Sequence, residues 1–290
     1  MTETSVAAPG GRRAAVLGSP VAHSLSPALH RAAHAQLGLE GWRYDIVEVL
    51  EDDLPGFLAG CGPEWAGLSL TMPLKRAVLP LLDALDDVAR ATDVVNTVTW
   101  DDGRALGANT DVEGLVEALR PALPDAGRGG DVRGAVLGGG ATAVSAVAAL
   151  AELGCARVAA HVRSPGRAAA LAEVGERCGT AVDLLPWDSA ASGLGDADVV
   201  IATAPAGAAD ALAAALAPGP RGVLLDVVYD PWPTALAAAW ARGGVVVDGF
   251  EMLVRQAVGQ VRLMTGRTPS ADVLRAAGLA ERRRRAQQGG

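Results

Sequence analysis

The sequence predicts an α/β protein of two domains, and three observations predict it. From Ala14 to Leu119, short β-rich runs alternate with amphipathic stretches. Pro121 to Asp131 is rich in Pro, Gly, Asp and Ala without periodicity, as expected of a linker. Beyond it, apolar runs recur at helical separations, which argues a parallel sheet covered on both faces. A chain of 290 residues is long enough to bury two cores.

Along the first half, Ala14–Leu17 reads as a strand, Pro27–Leu37 as a helix and Trp42–Val49 as a second strand. Trp65–Leu70 reads as a strand and Pro73–Leu85 as a helix. Val94–Trp100 and Arg104–Ala108 flank Asp101-Asp102-Gly103, a hairpin signal, and a helix follows over Asp111–Arg120. In the second half, strands are expected at Gly134–Leu137, Arg157–His161, Asp198–Thr203, Val223–Val228 and Val245–Val247, with alanine-rich helices between them. Glu251–Gly266 and Ala271–Arg285 close the chain as helices.

Composition narrows the function classes. The net charge of −8 disfavours a general nucleic-acid binder. The one strongly basic run, Arg282–Arg285, reads as a solvated helix end or a frayed tail. Uncharged stretches such as Val199–Ala209 are too short to span a bilayer, so no membrane association is expected. Met1–Gly11 lacks an apolar signal core and reads as a disordered lead-in, which makes the cytoplasm the default location. Cys61, Cys155 and Cys178 are few, scattered and odd in number, so neither a disulfide framework nor a metal site is expected.

Two residue counts bear on chemistry. Twenty-four arginines accompany a single lysine, Lys75. The two asparagines, Asn96 and Asn109, are each followed by threonine. A chain that chooses arginine almost everywhere has kept one compact, tunable ammonium, which marks Lys75 as a candidate for catalysis.

Gly138-Gly139-Gly140-Ala141-Thr142-Ala143 follows an expected strand and opens an expected helix in G-x-G-x-x-A spacing. Such glycines let backbone N–H groups approach a pyrophosphate at a helix N-terminus, which implies a Rossmann-type dinucleotide domain. The next strand ends His161-Val162-Arg163-Ser164, with Arg167 one turn on and no acid to hold a ribose 2′-hydroxyl. A guanidinium suits a 2′-phosphate, so NADP is favoured over NAD; the plainer alternative is a solvated helix start.

Gly18–Pro27 joins a strand to a helix and carries Ser24 and Ser26. Ser26 can act as an N-cap with Pro27 at the first helical position. Alternatively, two hydroxyls beside free backbone donors form a carboxylate site.

Here the sequence resembles the shikimate dehydrogenase family over nearly its whole length, roughly Ala14 to Gly278. Ser24 and Ser26 match its Ser-x-Ser-Pro segment, and the resemblance implies that they bind the shikimate carboxylate. Ser69-Leu70-Thr71-Met72-Pro73-Leu74-Lys75 resembles the N-V-T-x-P-x-K motif, which makes Lys75 the catalytic lysine. Asn96-Thr97 and Asn109-Thr110-Asp111 resemble the two N-T segments, the second ending in the catalytic aspartate. Asp248–Gln256 resembles the D-G-x-x-M-L-x-x-Q helix, whose glutamine contacts substrate.

The resemblance implies an NADP-dependent reduction of 3-dehydroshikimate to shikimate, on the chorismate route to aromatic amino acids. Lys75 and Asp111 are the implied catalytic pair; Ser24, Ser26, Thr71, Asn96, Tyr229 and Gln256 are the implied substrate contacts. For Tyr229, capping the sheet end before Pro231 is an equal alternative. Gly138, Gly139, Gly140, Ala141, Thr142, Ala143, Arg163, Ser164, Arg167, Thr203 and Gly249 are assigned to NADP. Because motifs from both ends of the chain serve one substrate, the substrate domain is expected to be discontinuous. Residues 1–111, completed by 249–290, form it, and 112–248 form the NADP domain. A monomer or homodimer is expected.

Two positions depart from the family pattern. Ser69 stands where many members have Asn, which weakens it as a substrate ligand. Val162-Arg163-Ser164 stands where Asn-Arg-Thr is common, which keeps the arginine but offers less hydrogen bonding on the adenine side. Competing readings are a quinate or aminoshikimate dehydrogenase and a catalytically inactive NADP-binding sensor. Methylenetetrahydrofolate dehydrogenases share the plan, but the paired serines and the N-T-D segment fit them poorly.

Overall fold

The computed structural model describes residues 11–123, 132–216 and 220–288, with the side chain of Arg167 outside the description. The described residues form two compact units. One comprises 11–84, 95–107 and 260–288, the other 85–94, 108–123, 132–216 and 220–259. The two proposed linker and lead-in segments fall mostly on 124–131 and 1–10, outside the described residues.

The chain opens with β1 (Arg13–Gly18), α1 (Ser26–Gln36), β2 (Arg43–Glu48), α2 (Leu54–Ala59), β3 (Trp65–Leu70) and α3 (Leu74–Ala77). Then follow β4 (Ala84–Leu85), α4 (Asp87–Thr92), β5 (Thr97–Asp101), β6 (Arg104–Ala108) and α5 (Asp111–Leu119). The first sheet has the order β2-β1-β3-β5-β6-β4, with β1 parallel to both β2 and β3, and β5 antiparallel to β3.

Local sequence accounts for most of these elements. β3 is buried at every position, as a strand covered on both faces must be. The single helix expected over Pro73–Leu85 breaks up. It becomes the four-residue α3, a 3₁₀ turn at Leu79–Leu81 and the short strand β4, because Pro80 lacks the N–H a continuing helix needs. The strand expected from Val94 starts only at Thr97, and α4 precedes it, capped by Asp86 accepting from Ala89 N.

The remainder contains β7 (Arg133–Leu137), α6 (Ala141–Glu152), β8 (Arg157–Val162), α7 (Ala169–Cys178), β9 (Ala181–Pro186), α8 (Ala190–Gly193) and β10 (Val199–Ala202). It ends with α9 (Asp210–Ala215), β11 (Val223–Asp226), α10 (Ala235–Trp240), β12 (Val245–Asp248), α11 (Gly249–Thr265) and α12 (Ala271–Gln288). The second sheet is wholly parallel, in the order β12-β11-β10-β7-β8-β9. Strand alternation sorts its apolar residues into two cores: Val136, Val199 and Ile201 face one, Leu137, Val200 and Ala202 the other. β9 was not legible as a strand. It is a half-exposed edge that contains Asp183 and ends in Pro186, so it lacks an apolar run.

The grouping differs from a division after Asp111 and after Asp248. Residues 85–94, 108–111 and 249–259 group with the second unit, where α4 packs on α6 and α7 and the first part of α11 packs on α5. Among the described residues, no helix is long and apolar enough to cross a membrane. The arginine run is not a frayed tail: α12 continues through it to Gln288, and Arg284 and Arg285 both pair with Glu281.

Candidate active site

In the first unit, strand direction gathers the expected substrate residues at one sheet edge. β1 and β3 run parallel and end there, and β5, antiparallel to β3, begins there. Backbone bonds tie the three loops together. Thr71 N donates to Leu17 O at 2.9 Å, Ser19 N to Met72 O at 2.9 Å, and Leu70 N to Asn96 O at 2.8 Å. Ser24, Ser26, Thr71 and Asn96 are therefore carried by adjoining loops. Lys75 lies on α3 immediately after, half-buried beside the fully buried Leu74.

The serine loop is built differently from a capped helix start. α1 begins at Ser26 itself, its N-cap position is Leu25, and no side chain caps it. Ser26 N instead donates to Ser24 Oγ at 3.2 Å, and the Ser26 hydroxyl bonds the Tyr44 hydroxyl. Since Ser24 Oγ accepts that bond, its own proton remains to be donated.

Behind this edge lies a buried polar network that sequence reasoning missed. Tyr44 Oη donates to Ser69 Oγ at 2.6 Å, and Ser69 Oγ donates to Gln260 Oε1 at 2.8 Å. Gln260 Nε2 donates to Asn96 O at 3.1 Å and Thr97 Oγ1 at 3.2 Å, while His30 Nε2 bonds Gln260 Oε1 at 3.2 Å. Thr97 Oγ1 donates to Asn96 Oδ1 at 2.8 Å, which fixes the amide. Ser69, 3% exposed, serves this network. Burial pushes the Tyr44 hydroxyl well above its ordinary range, against the opposing bonds to Ser69 and Ser26, so it stays a neutral donor.

In the second unit, the glycine segment lies between β7 and α6, and the sheet order makes this the switch point where successive connections run to opposite sides. Gly138 has φ 123°, and a side chain there would collide with Thr203 Oγ1 at the end of β10. Thr203 is itself held by donating to Leu137 O at 2.9 Å. Among the described residues nothing lies within 4 Å of a Cβ built on Gly140, so the start of α6 faces open space of the kind a pyrophosphate needs. Arg163 and Ser164 are exposed after β8, and the Arg163 guanidinium lies 5.9 Å over the Trp187 ring. Trp187 was not legible as part of the site. The backbone of Arg167 belongs to the 3₁₀ turn Pro165–Arg167. Glycine backbone, open space and a cation without an acid fit a phosphorylated dinucleotide.

Tyr229 and Gly249 follow the carboxyl ends of β11 and β12 on that same sheet edge. Gly249 is glycine for a packing reason: a Cβ would run into the backbone of Asp226 and Val227. Asn109 Nδ2 donates to Thr92 Oγ1 at 3.0 Å and Ser145 Oγ at 3.1 Å, and Asn109 Oδ1 accepts from Asp111 N at 3.0 Å. Asn109 thus anchors the turn that presents the buried Asp111 at the first position of α5. α5 and α11 approach closely at Gly114, where a Cβ would lie 2.8 Å from Gln256 Cβ. Lys75 belongs to the first unit, Asp111 and Gln256 to the second.

Comparison with known proteins gives a consistent result. Residues 16–98 match the shikimate dehydrogenase substrate binding domain, and residues 249–277 match the shikimate 5'-dehydrogenase C-terminal domain. The shikimate dehydrogenase (NADP(+)) of Rhodospirillum rubrum is 38% identical over 93% of this chain and 98% of its own. The crystal structure of Mycobacterium tuberculosis shikimate dehydrogenase superposes with a TM-score of 0.82 at 39% identity, covering 93% of this chain and 99% of that one. The Thermus thermophilus shikimate 5-dehydrogenase, solved in complex with NADP(H) and shikimate, superposes with a TM-score of 0.78 at 34% identity, again over 93% and 99%.

Proposed function

The chain belongs to the shikimate dehydrogenase family, and on that premise we propose that it interconverts 3-dehydroshikimate and shikimate with NADP as cofactor. The reaction is an oxidoreduction at a ring CH–OH group, and the family serves aromatic amino-acid biosynthesis. The observation that carries this reading is the convergence of the loops after β1 and β3 with the start of β5, which bear Ser24, Ser26, Thr71 and Asn96.

Each residue has a chemical task in the proposal. Ser24 donates its hydroxyl proton to the substrate carboxylate near the start of α1, where the helix also favours negative charge, and Ser26 lines the same site with its hydroxyl held by Tyr44. Thr71, Asn96, Tyr229 and Gln256 provide mixed donors and acceptors for the ring hydroxyls and carboxylate. When bound, the cofactor would supply the redox chemistry, NADPH giving a hydride to the ring carbonyl carbon and NADP+ accepting one from the ring CH–OH carbon in reverse. In the reductive direction, charge develops on the carbonyl oxygen, and Lys75 meets it as proton donor or fixed cation. Asp111 is the second member of the proposed catalytic pair. The loop Gly138–Ala143 holds the pyrophosphate, with Thr203 and Gly249 shaping the neighbouring edge, and Arg163, Ser164 and Arg167 take the 2′-phosphate.

The test is direct. Purified protein is assayed for nicotinamide reduction with shikimate and quinate, each against NADP and NAD. Turnover is expected chiefly with shikimate and NADP. No turnover with any pair would favour an inactive NADP-binding sensor, and faster turnover of quinate would move the substrate assignment.

A further inference from the structure

We propose that Arg285, near the end of α12, is a positioning residue for the substrate carboxylate, acting through the Ser24–Ser26 loop. This rests on the assignment of that loop to the carboxylate. Arg285 Nη1 donates to His23 O at 2.8 Å and Nη2 donates to Ser24 O at 3.0 Å, across 262 and 261 residues of sequence. Two arms of one planar fork thus grip two successive carbonyls, a geometry that a lysine cannot reproduce. The third donor, Nε, bonds Glu281 Oε1 at 2.7 Å, which orients the guanidinium. Hydrogen bonds from Arg284 and Arg285 hold the Glu281 carboxyl down to about 2, so the orienting charge persists at neutral pH. The neighbouring Arg284 turns instead to Glu281 and Gln288.

The consequence reaches the hydroxyl of Ser24. Its carbonyl is held by Arg285, its N–H by Val21 O at 2.9 Å, and its Oγ by Ser26 N at 3.2 Å. These three bonds fix the backbone and rotamer of Ser24, and so the direction in which its proton is offered. The loop has no regular secondary structure and its Ala22 and His23 are exposed. Without the arginine, ordering it would be charged to each substrate-binding event. Lys75 lies on the loop and helix after β3, so the effect falls on binding of the carboxylate rather than on the chemical step.

The test compares the full-length parent with Arg285→Ala, Arg285→Lys and the double variant Ser24→Ala/Ser26→Ala, using shikimate and methyl shikimate. For Arg285→Ala, the shikimate KM should rise about five- to twentyfold, because only part of the ordering lost with the two bonds falls on substrate binding. The KM for NADP and the kcat should stay within about twofold, since neither depends on the serine loop. The preference for the free acid over the ester should shrink with it, and Arg285→Lys should recover part of the loss. A parent-like shikimate KM in Arg285→Ala, beside a raised one in the serine variant, would overturn the inference alone. Equal losses for acid and ester would also overturn it, since they indicate a general folding defect. A parent-like KM in the serine variant would remove the carboxylate assignment, and the inference with it. Should Arg285→Ala fail to fold, the acid-to-ester ratio of Arg285→Lys decides: an unchanged ratio overturns the inference.

Discussion

Ser69 Oγ donates a 2.8 Å hydrogen bond to Gln260 Oε1, joining β3 to α11 across 191 residues of sequence. The bond sits in the middle of a chain of buried groups from Tyr44 to Asn96. Ser69→Ala would leave the Tyr44 hydroxyl without its acceptor and Gln260 short of a donor. Unmade buried bonds of this kind cost about 1–3 kcal/mol. Urea denaturation should show the midpoint falling with the slope unchanged. Ser69→Asn, which restores the residue common in the family, should destabilise as well, because the larger amide has no room in a site 3% exposed. Full stability in Ser69→Ala would show that the network contributes little.

His30 and His34 give the fold a pH dependence. Burial, then the charge of His34, hold His30 down to about 3 against the opposing bond from Gln260, and burial holds His34 down to about 4. In the unfolded chain both titrate near 6.5. The unfolded state therefore takes up protons that the fold excludes, and stability falls as pH drops from about 6.5 toward 4. Each histidine contributes up to about 1.4 kcal/mol per pH unit to that slope. Among the described residues neither ring nitrogen of His34 has a hydrogen-bond partner, so His34→Leu removes its titration without breaking one of the bonds described. Denaturation at pH 7.5, 6.0 and 5.0 should show a shallower loss in the variant than in the parent. Identical slopes would contradict the assignment.

Arg163 carries the proposed choice of cofactor. Arg163→Ala should weaken NADP by roughly 1.5–3 kcal/mol through loss of a charge-assisted contact and leave NAD nearly unaffected. KM values for both cofactors check it, and equal losses would remove Arg163 from the 2′-phosphate site. Trp187→Ala should reproduce a fraction of the effect, since the indole lies under the guanidinium.

What was legible in the sequence was local. The turn after β7 announces itself by its run of glycines, and Gly138 there takes φ 123° with no room for a Cβ beside Thr203 Oγ1. The single lysine stands out against twenty-four arginines. What was not legible depends on partners distant in sequence. Nothing in Tyr44, Gln260 or Trp187 marks them, because their roles arise from strand register and helix packing. Arg285 read as part of a solvated run, and its bonds to His23 and Ser24 come from residues more than 260 positions away. Pro80 carried a signal, since it interrupts the helix expected over Pro73–Leu85 at the point where the structure breaks it.

In the proposed reaction Lys75 meets the charge developing on the reacting oxygen, and Lys75→Arg tests that role most directly. Arginine keeps the positive charge but spreads it over a larger planar group and removes usable acid–base chemistry. The chain uses arginine at every other cationic position, so a lysine with only a surface role should tolerate the exchange. The decisive measurement is kcat of purified Lys75→Arg with shikimate and NADP, beside a thermal melt and the NADP dissociation constant. A fall in kcat of roughly 10²–10⁴ with folding and NADP binding intact is the predicted result. Activity within a few-fold of the parent would contradict the claim and remove Lys75 from the mechanism.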